Sequence, residues 1–373
     1  MSTSASFSSQ ASPEFCAAFR RRASAGGGGG AGAVTLTFAD FMEVALYDPG
    51  VGYYRAARQR VGRASGTDFY TATSSGALFG ELVCAAAESL VQRHGAQHGV
   101  KLSDFAFVEI GAEPGGGILR DVATHPFRSV RTLGVGDLLD LNDADGSTET
   151  GGPCVVFSNE LFDAQPVRRF VRHAGAWHEL GVTLMPDGTL HETRLASVPP
   201  SAAPWLPAAD PANDIAPADG DLFDAPRAAA ELAARIAAQP WSGLFIAFDY
   251  GKTWRELATE HPAGTARAYR AHRQHNDLLA DPGGQDLTAH VCWDWLADAL
   301  RAAVPPFDAG TVAVESQEAF FIHHAVAFLE KTFVANAAES SGFSPRKSAL
   351  MQLLHPANMG QKFQVLHAWR APA

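Results

Sequence analysis

Apolar residues recur at helical spacing from Ser75 onward, at Leu78, Phe79, Leu82, Val83, Ala86, Leu90 and Val91, and Gly95 stands where such a helix would end. The spacing predicts an amphipathic helix whose apolar face belongs to a core. Three unbroken apolar runs contrast with it, at residues 105–108, 154–157 and 244–248, each followed by a polar or acidic residue. Short runs without alternation fit parallel strands buried on both faces, and open α/β sheets keep ligand-contacting groups at the carboxyl ends of such strands. Residues 225–238, opened by Asp224 and Pro226, have helical spacing directly before the third run, which gives alternating α and β units. Residues 293–303 and 320–335 predict further helices, and a last strand is expected near residues 363–366.

Between Val167 and Leu195 the pattern shortens to alternating stretches around Met185-Pro186-Asp187-Gly188, the chemistry of a hairpin turn, so an antiparallel β insertion is expected there. Residues 196–222, rich in Pro and Ala and without period, predict a surface loop, and the insertion as a whole spans 167–222. Ser12 and Pro13 supply a cap and first-turn proline for a short helix over 14–23, followed by a glycine spacer at 26–30. Residues 1–33 are therefore expected to be a flexible segment with a short helix, and 34–373 a single domain.

Composition narrows the classes. A chain of 373 residues with 46% hydrophobic content can bury a substantial core. Its 29 basic and 40 acidic side chains leave a formal charge of −11, which offers no field for gathering nucleic-acid phosphates. Cys16, Cys84, Cys154 and Cys292 lie far apart without a Cys-x-x-Cys pair and read as free thiols. No apolar run approaches the ~20 residues that span a bilayer, and no signal core is present, so a cytoplasmic protein without membrane insertion is expected. The Ser-rich residues 2–9 and Arg20-Arg21-Arg22 keep the mitochondrial matrix as the alternative.

Three segments carry chemistry. The first, from Val108 through Glu109, Gly111 and Gly115-Gly116-Gly117 to Leu119, reads as a strand end, a glycine-rich turn and a helix start; it suits a nucleotide-like ligand or is merely a tight turn. In the second, Asn159 and Glu160 stand where a buried strand opens into its loop, with Asp163 close behind. An amide oxygen beside a carboxylate can grip an amine or guanidinium; alternatively Asn159 caps the next turn and Asp163 a helix. The third segment holds Tyr269, His272, Asp286, Thr288 and His290 among turn formers, as in a loop folded over a site, while His290 equally suits a structural histidine. His272, His275 and His290 are not spaced as a metal set, and adjacent His323 and His324 are expected to point apart on a helix, so no metal site is expected.

Taken together, the segments resemble the MidA-like family, which includes the mitochondrial complex I assembly factor methyltransferases. The resemblance runs from about Thr37 to Leu366 and rests on Phe38-Ala39-Asp40-Phe41-Met42, Gly52-Tyr53-Tyr54, Gly66-Thr67-Asp68-Phe69, the Asn159-Glu160 segment, Asp249-Tyr250-Gly251, residues 269–291 and Met359-Gly360. It implies a Rossmann-like class I methyltransferase sheet, S-adenosyl-L-methionine (SAM) as cofactor, and protein arginine as the substrate class. By that resemblance Glu109, Gly111, Gly115, Gly116 and Gly117 line SAM with Asp68 and Thr71 nearby, Asn159, Glu160 and Asp163 face the transfer centre, and Tyr269, His272, Asp286, Thr288 and His290 meet the substrate.

The chain departs from the family in two places. Glu113-Pro114 is inserted ahead of the glycines, which moves the turn's N–H groups, and Pro114 has none. Between Leu119 and Pro153 there is too little chain for helix, strand, helix and strand, since a βαβ unit takes ~30 residues, so one strand and one helix are expected to be missing. Asp137, 20 positions after Gly117, then either holds the cofactor ribose or belongs to the third strand, leaving that role unfilled. The leading expectation is a methyltransferase acting on a client protein; the alternative is a catalytically silent methyltransferase fold that binds a partner. A homodimer is compatible with either.

Overall fold

The computed structural model describes residues 10–26, 32–56, 72–141, 152–195, 198–338 and 345–372. Its strands include, in chain order, β1 (Val34–Thr37), β2 (Ala106–Ile110), β3 (Ser129–Leu133), β4 (Pro153–Asn159), β5 (Arg168–His173), β6 (Ala176–Leu184), β7 (Leu190–Arg194), β8 (Leu222–Ala225) and β9 (Ser242–Asp249). The chain divides into two compact units that interleave in sequence. One holds Met1–Arg58, Phe162–Ala230 and Lys252–Trp295; the other holds Gln59–Leu161, Glu231–Gly251 and Leu296–Ala373. Among the described residues, no helix is long and apolar enough to cross a membrane.

The second unit is built on a six-stranded sheet whose order is Ala313–Ser316, Gln364–Arg370, β9, β4, β2, β3. β3, β2, β4 and β9 run parallel, and the two strands from the end of the chain are antiparallel to their neighbours. The three apolar runs become β2, β4 and β9 at the centre, where both faces are covered and no alternation survives. The helix Ala77–Gly95 covers one face, as its spacing predicts. Its Phe79 ring meets Phe157 at 6.3 Å and Phe248 at 5.2 Å between centroids. Gly80 lets this helix come close, because a Cβ there would stand 2.4 Å from the Ile118 carbonyl oxygen.

The shortened sheet is visible at its edge. β3 pairs in parallel with β2, and no described strand lies outside it. The helix expected after the glycine turn does not form: residues 111–128 hold only turns and bends. Pro126 keeps His125 out of the helical region, and the three glycines upstream carry a high entropic cost in a helix. Two further boundaries differ from expectation. The helix over 225–238 begins only at Arg227, because residues 222–225 form β8. The helix over 320–335 is two helices, Gln317–His324 and Val326–Ala338, broken at Ala325.

The first unit contains the antiparallel sheet β1-β6-β5-β8, with β7 on β6, and the hairpin turn falls at residues 185–189 as its chemistry predicts. The short helix expected over 14–23 is present as Pro13–Ala25, and it is packed on the body. Pro13–Ala25 is capped by Ser12, whose hydroxyl accepts the Phe15 N–H at 3.1 Å, and it buries Phe15 and Phe19 completely. Phe15 lies edge-on to Phe41 of the helix Phe38–Tyr47 at 6.1 Å. The folded body thus begins well before Val34. Residues 198–222 are not a plain surface loop either, since Ala202 and Ile215 are buried and the Trp177 indole donates to the Pro207 carbonyl at 2.8 Å.

Candidate functional site

The glycine turn follows from the end of β2. Glu109, on that strand, is buried, and its carboxylate accepts the Ile118 N–H at 2.8 Å. It braces the turn from beneath rather than projecting from it. Burial pushes its carboxyl up to about 7, against the single hydrogen bond that favours the charged form. A Cβ on Gly117 would stand 1.9 Å from the Glu109 oxygen, so this arrangement requires glycine there. Gly111, Gly115 and Gly116 have φ of 83°, 105° and 111°, conformations that favour glycine. Gly111 and Ala112 donate their N–H groups to the Leu133 carbonyl, which ties the turn to the end of β3. The amides of Gly116 and Gly117 donate to no group among the described residues, and Gly115 and Gly116 are exposed. Two N–H groups without a described partner, on adjacent glycines, suit an anionic group such as a carboxylate.

Asp137 follows β3, the strand beside β2, and so is not part of a third strand. That is the place from which dinucleotide-binding folds hold a ribose. One of its oxygens accepts the Gly134 N–H at 2.8 Å. Asp68 and Thr71 lie outside the described residues.

At the end of β4 the backbone bends sharply. Glu160 has φ of 52°, a region that non-glycine residues rarely occupy, and its N–H donates to the Phe248 carbonyl of β9 at 2.9 Å. The bend places Asn159 and Glu160 together, with the Asn159 amide nitrogen donating to the Glu160 carboxylate at 3.1 Å. The amide oxygen of Asn159 is buried and has no hydrogen-bond partner among the described residues. Asn159 is therefore no turn cap. It presents an unused acceptor beside a carboxylate, the equipment for holding an N–H donor.

The remaining candidates belong to the other unit. Asp163 and Asp286 are both buried, and the Asp163 backbone carbonyl accepts the Ala289 N–H at 2.9 Å. Asp286 accepts the Tyr54 hydroxyl at 2.9 Å, Tyr54 stacks on Tyr47 at 5.5 Å, and Tyr47 donates to the Ala164 carbonyl at 2.9 Å. Burial first, then the Asp286 carboxylate, hold both phenols well above their ordinary value, with Asp163 adding to the effect. Tyr54 sits in a motif that carries the family resemblance, yet nothing in the spacing of Tyr47 and Tyr54 marks them as partners of residues more than a hundred positions later.

Tyr269 pairs with Asp286 across an antiparallel ladder, and Arg267 pairs in the same way with buried Thr288. The Tyr269 hydroxyl itself turns to Gln274 at 2.7 Å. His272 stands exposed, with positive φ, at the tip of the hairpin between Arg267–Arg270 and Arg273–His275, so its position is that of a turn residue. His290 donates its backbone N–H to the Thr265 hydroxyl and lies edge-on to His261. Burial, with His261 beside it, takes the His290 imidazole down to about 4, which leaves it neutral at physiological pH. Sequence reasoning missed a buried brace here: Arg169 pairs with Asp224 at 2.7 Å, and the other Asp224 oxygen accepts the N–H groups of Thr265 and Ala266. It also missed that His323 and His324 converge, both ending on Glu315.

Known proteins are similar to this chain over most of its length. Residues 139–306 match the family described as "Putative S-adenosyl-L-methionine-dependent methyltransferase". The human protein arginine methyltransferase NDUFAF7, a mitochondrial protein, is 24% identical over 88% of this chain and 78% of its own length, and the mouse protein is 24% identical over 88% and 79%. A Burkholderia thailandensis protein solved with bound S-adenosyl-homocysteine has the same fold, with a TM-score of 0.73 at 23% identity over 96% of this chain and 94% of that one. A second structure from that organism gives 0.69 at 22% identity over the same shares of the two chains. Sequence and sheet order agree: the chain is similar to these methyltransferases over most of its length and shares their fold.

Proposed function

We propose that this chain is a SAM-dependent methyltransferase that methylates an arginine side-chain nitrogen of a client protein. The observation that carries the reading is the buried, unpartnered amide oxygen of Asn159 beside the Glu160 carboxylate, at the end of the strand next to the glycine-turn strand. The names of the vertebrate relatives supply the substrate class. The residues present fit the cofactor: the free amides of Gly116 and Gly117 suit a carboxylate end, and Asp137 keeps a second oxygen for a ribose hydroxyl. When bound, SAM supplies an electrophilic methyl carbon on its sulfonium. Glu160 and Asn159 accept two N–H groups of the guanidinium and so fix the attacking nitrogen in line, where positioning accounts for most of the acceleration. The Glu160 carboxylate also takes up the proton that the nitrogen loses as its new bond to carbon forms.

The test uses tritium-labelled SAM and a protein extract lacking this chain, with methylarginine read after hydrolysis. Wild type labels arginine, and Glu160→Gln lowers the rate by ~100-fold or more while leaving S-adenosylhomocysteine binding nearly unchanged. Full activity in that variant removes Glu160 from the mechanism. A second reading, a catalytically silent assembly factor, is favoured by Pro114 and by the absence of a helix after the glycine turn. It predicts no labelling by wild type. The mitochondrial relatives favour the matrix over the cytoplasm as compartment.

A further inference from the structure

Within the second unit, three side chains from three pieces of structure converge at the edge of the sheet, three strands from β4. Glu315 lies on the edge strand Ala313–Ser316, opposite Val365 in the register, so His367 of the neighbouring strand stands diagonally on the same face. The helix Gln317–His324 starts directly after that strand, capped by Ser316, and returns His324 to the carboxylate. One oxygen, Glu315 Oε1, meets His324 Nε2 at 2.7 Å and His367 Nε2 at 2.9 Å, and the other meets His323 Nδ1. The three donor atoms of Glu315, His324 and His367 lie within 4.8 Å of one another. The side chains of His324 and His367 are 4% and 8% exposed, and the cluster opens into a pocket of about 500 Å³ that Arg93, His94 and Thr311 also line.

We infer that Glu315, His324 and His367 form a binding site for a divalent first-row transition ion, with Zn²⁺ as the natural probe. Two imidazoles and one carboxylate, with an open fourth side, are a donor set that zinc accepts in tetrahedral geometry. Bonds of ~2.0 Å at tetrahedral angles separate neighbouring donors by about 3.3 Å. The two imidazole nitrogens stand closer than this to Oε1, at 2.7 and 2.9 Å, and each needs to move from it by only about half an ångström. The ion replaces the protons that the two imidazoles now offer to Oε1. Two features limit its affinity to the micromolar range. Arg93 adds positive charge to the same pocket, and the buried Nδ1 of His324 has no acceptor to orient the ring when Nε2 binds metal. The site staples the last strand of the sheet to the helix beside it, a role separate from methyl transfer.

The experiment uses the full chain, free of tags and stripped with chelator, titrated with ZnCl₂ in a calorimeter and with CoCl₂ under visible spectroscopy. One Zn²⁺ per chain at micromolar affinity is expected, together with the intense d–d bands of low-coordinate Co²⁺. Glu315→Gln and His367→Gln each weaken binding by about tenfold or more. Glu315→Gln keeps the side-chain shape, so it carries the test if the more buried His367→Gln fails to fold, and circular dichroism with S-adenosylhomocysteine binding confirms its fold. Absence of Zn²⁺ binding by wild type at submillimolar concentration overturns the site. So does undiminished binding in Glu315→Gln, which would assign the ion to others of the 14 histidines.

Discussion

Glu109 and Gly117 show how closely the glycine turn is held at the level of single atoms. The Glu109 carboxylate occupies the space that any side chain at 117 would need. Gly117→Ala therefore forces the carboxylate off the Ile118 N–H and leaves a buried donor unpaired, at a cost of ~1–3 kcal/mol. Calorimetry with S-adenosylhomocysteine should show affinity reduced about ten- to a hundredfold, and unchanged affinity would mean that this turn does not meet the cofactor. Glu109 also makes stability depend on pH. Its folded value of about 7 lies above the ordinary 4.5, so between those values the unfolded chain ionises while the folded one stays protonated, and stability falls as pH rises. Glu109→Gln should accordingly match wild type near pH 4.5 and exceed it by about 3 kcal/mol above pH 7, since each unit is ~1.4 kcal/mol. Urea denaturation of the cofactor-free protein at the two pH values measures it; a variant less stable at high pH would mean that the carboxyl is ionised and held by partners. Of the site residues, Asn159 and Glu160 were legible because a polar pair directly follows an unbroken apolar run. The Tyr47–Tyr54–Asp286 cluster was not, because it joins residues far apart in sequence through contacts that no local pattern encodes.

Elements buried on both faces announced themselves, and edge elements did not. β2, β4 and β9 are continuous apolar runs because neighbours cover both their faces. β3, at the sheet edge, alternates half-buried Ser129 and Arg131 with exposed Val130 and Thr132 and so reads as loop. β8 is hidden because its four residues run straight into a helix with a strong signal of its own. The N-terminal helix misleads in the opposite direction, since its three arginines and the glycines after it suggest a tail while one face is fully buried. Phe15→Ala removes a ring that is 0% exposed and should cost about 3–4 kcal/mol. Thermal unfolding should show a midpoint several degrees lower; an unchanged midpoint would mean that the helix does not dock in solution.

For the molecule as a whole, the parallel sheet with its glycine turn is a retained cofactor scaffold on a shortened frame. What is missing among the described residues is a helix after the turn and a strand outside β3. What remains is a set of positions suited to a ligand: glycines at positive φ, the amides of Gly116 and Gly117 without a partner among the described residues, and Asp137 after β3. The central claim is that this scaffold binds SAM. Isothermal calorimetry of the purified chain with SAM and with S-adenosylhomocysteine tests it most directly, with Gly116→Val as control because φ at 116 is 111° and Arg120 already lies against that position. Micromolar binding by wild type and its loss in Gly116→Val are the predicted result. No binding by wild type at millimolar ligand would contradict the account and leave a methyltransferase fold without its cofactor.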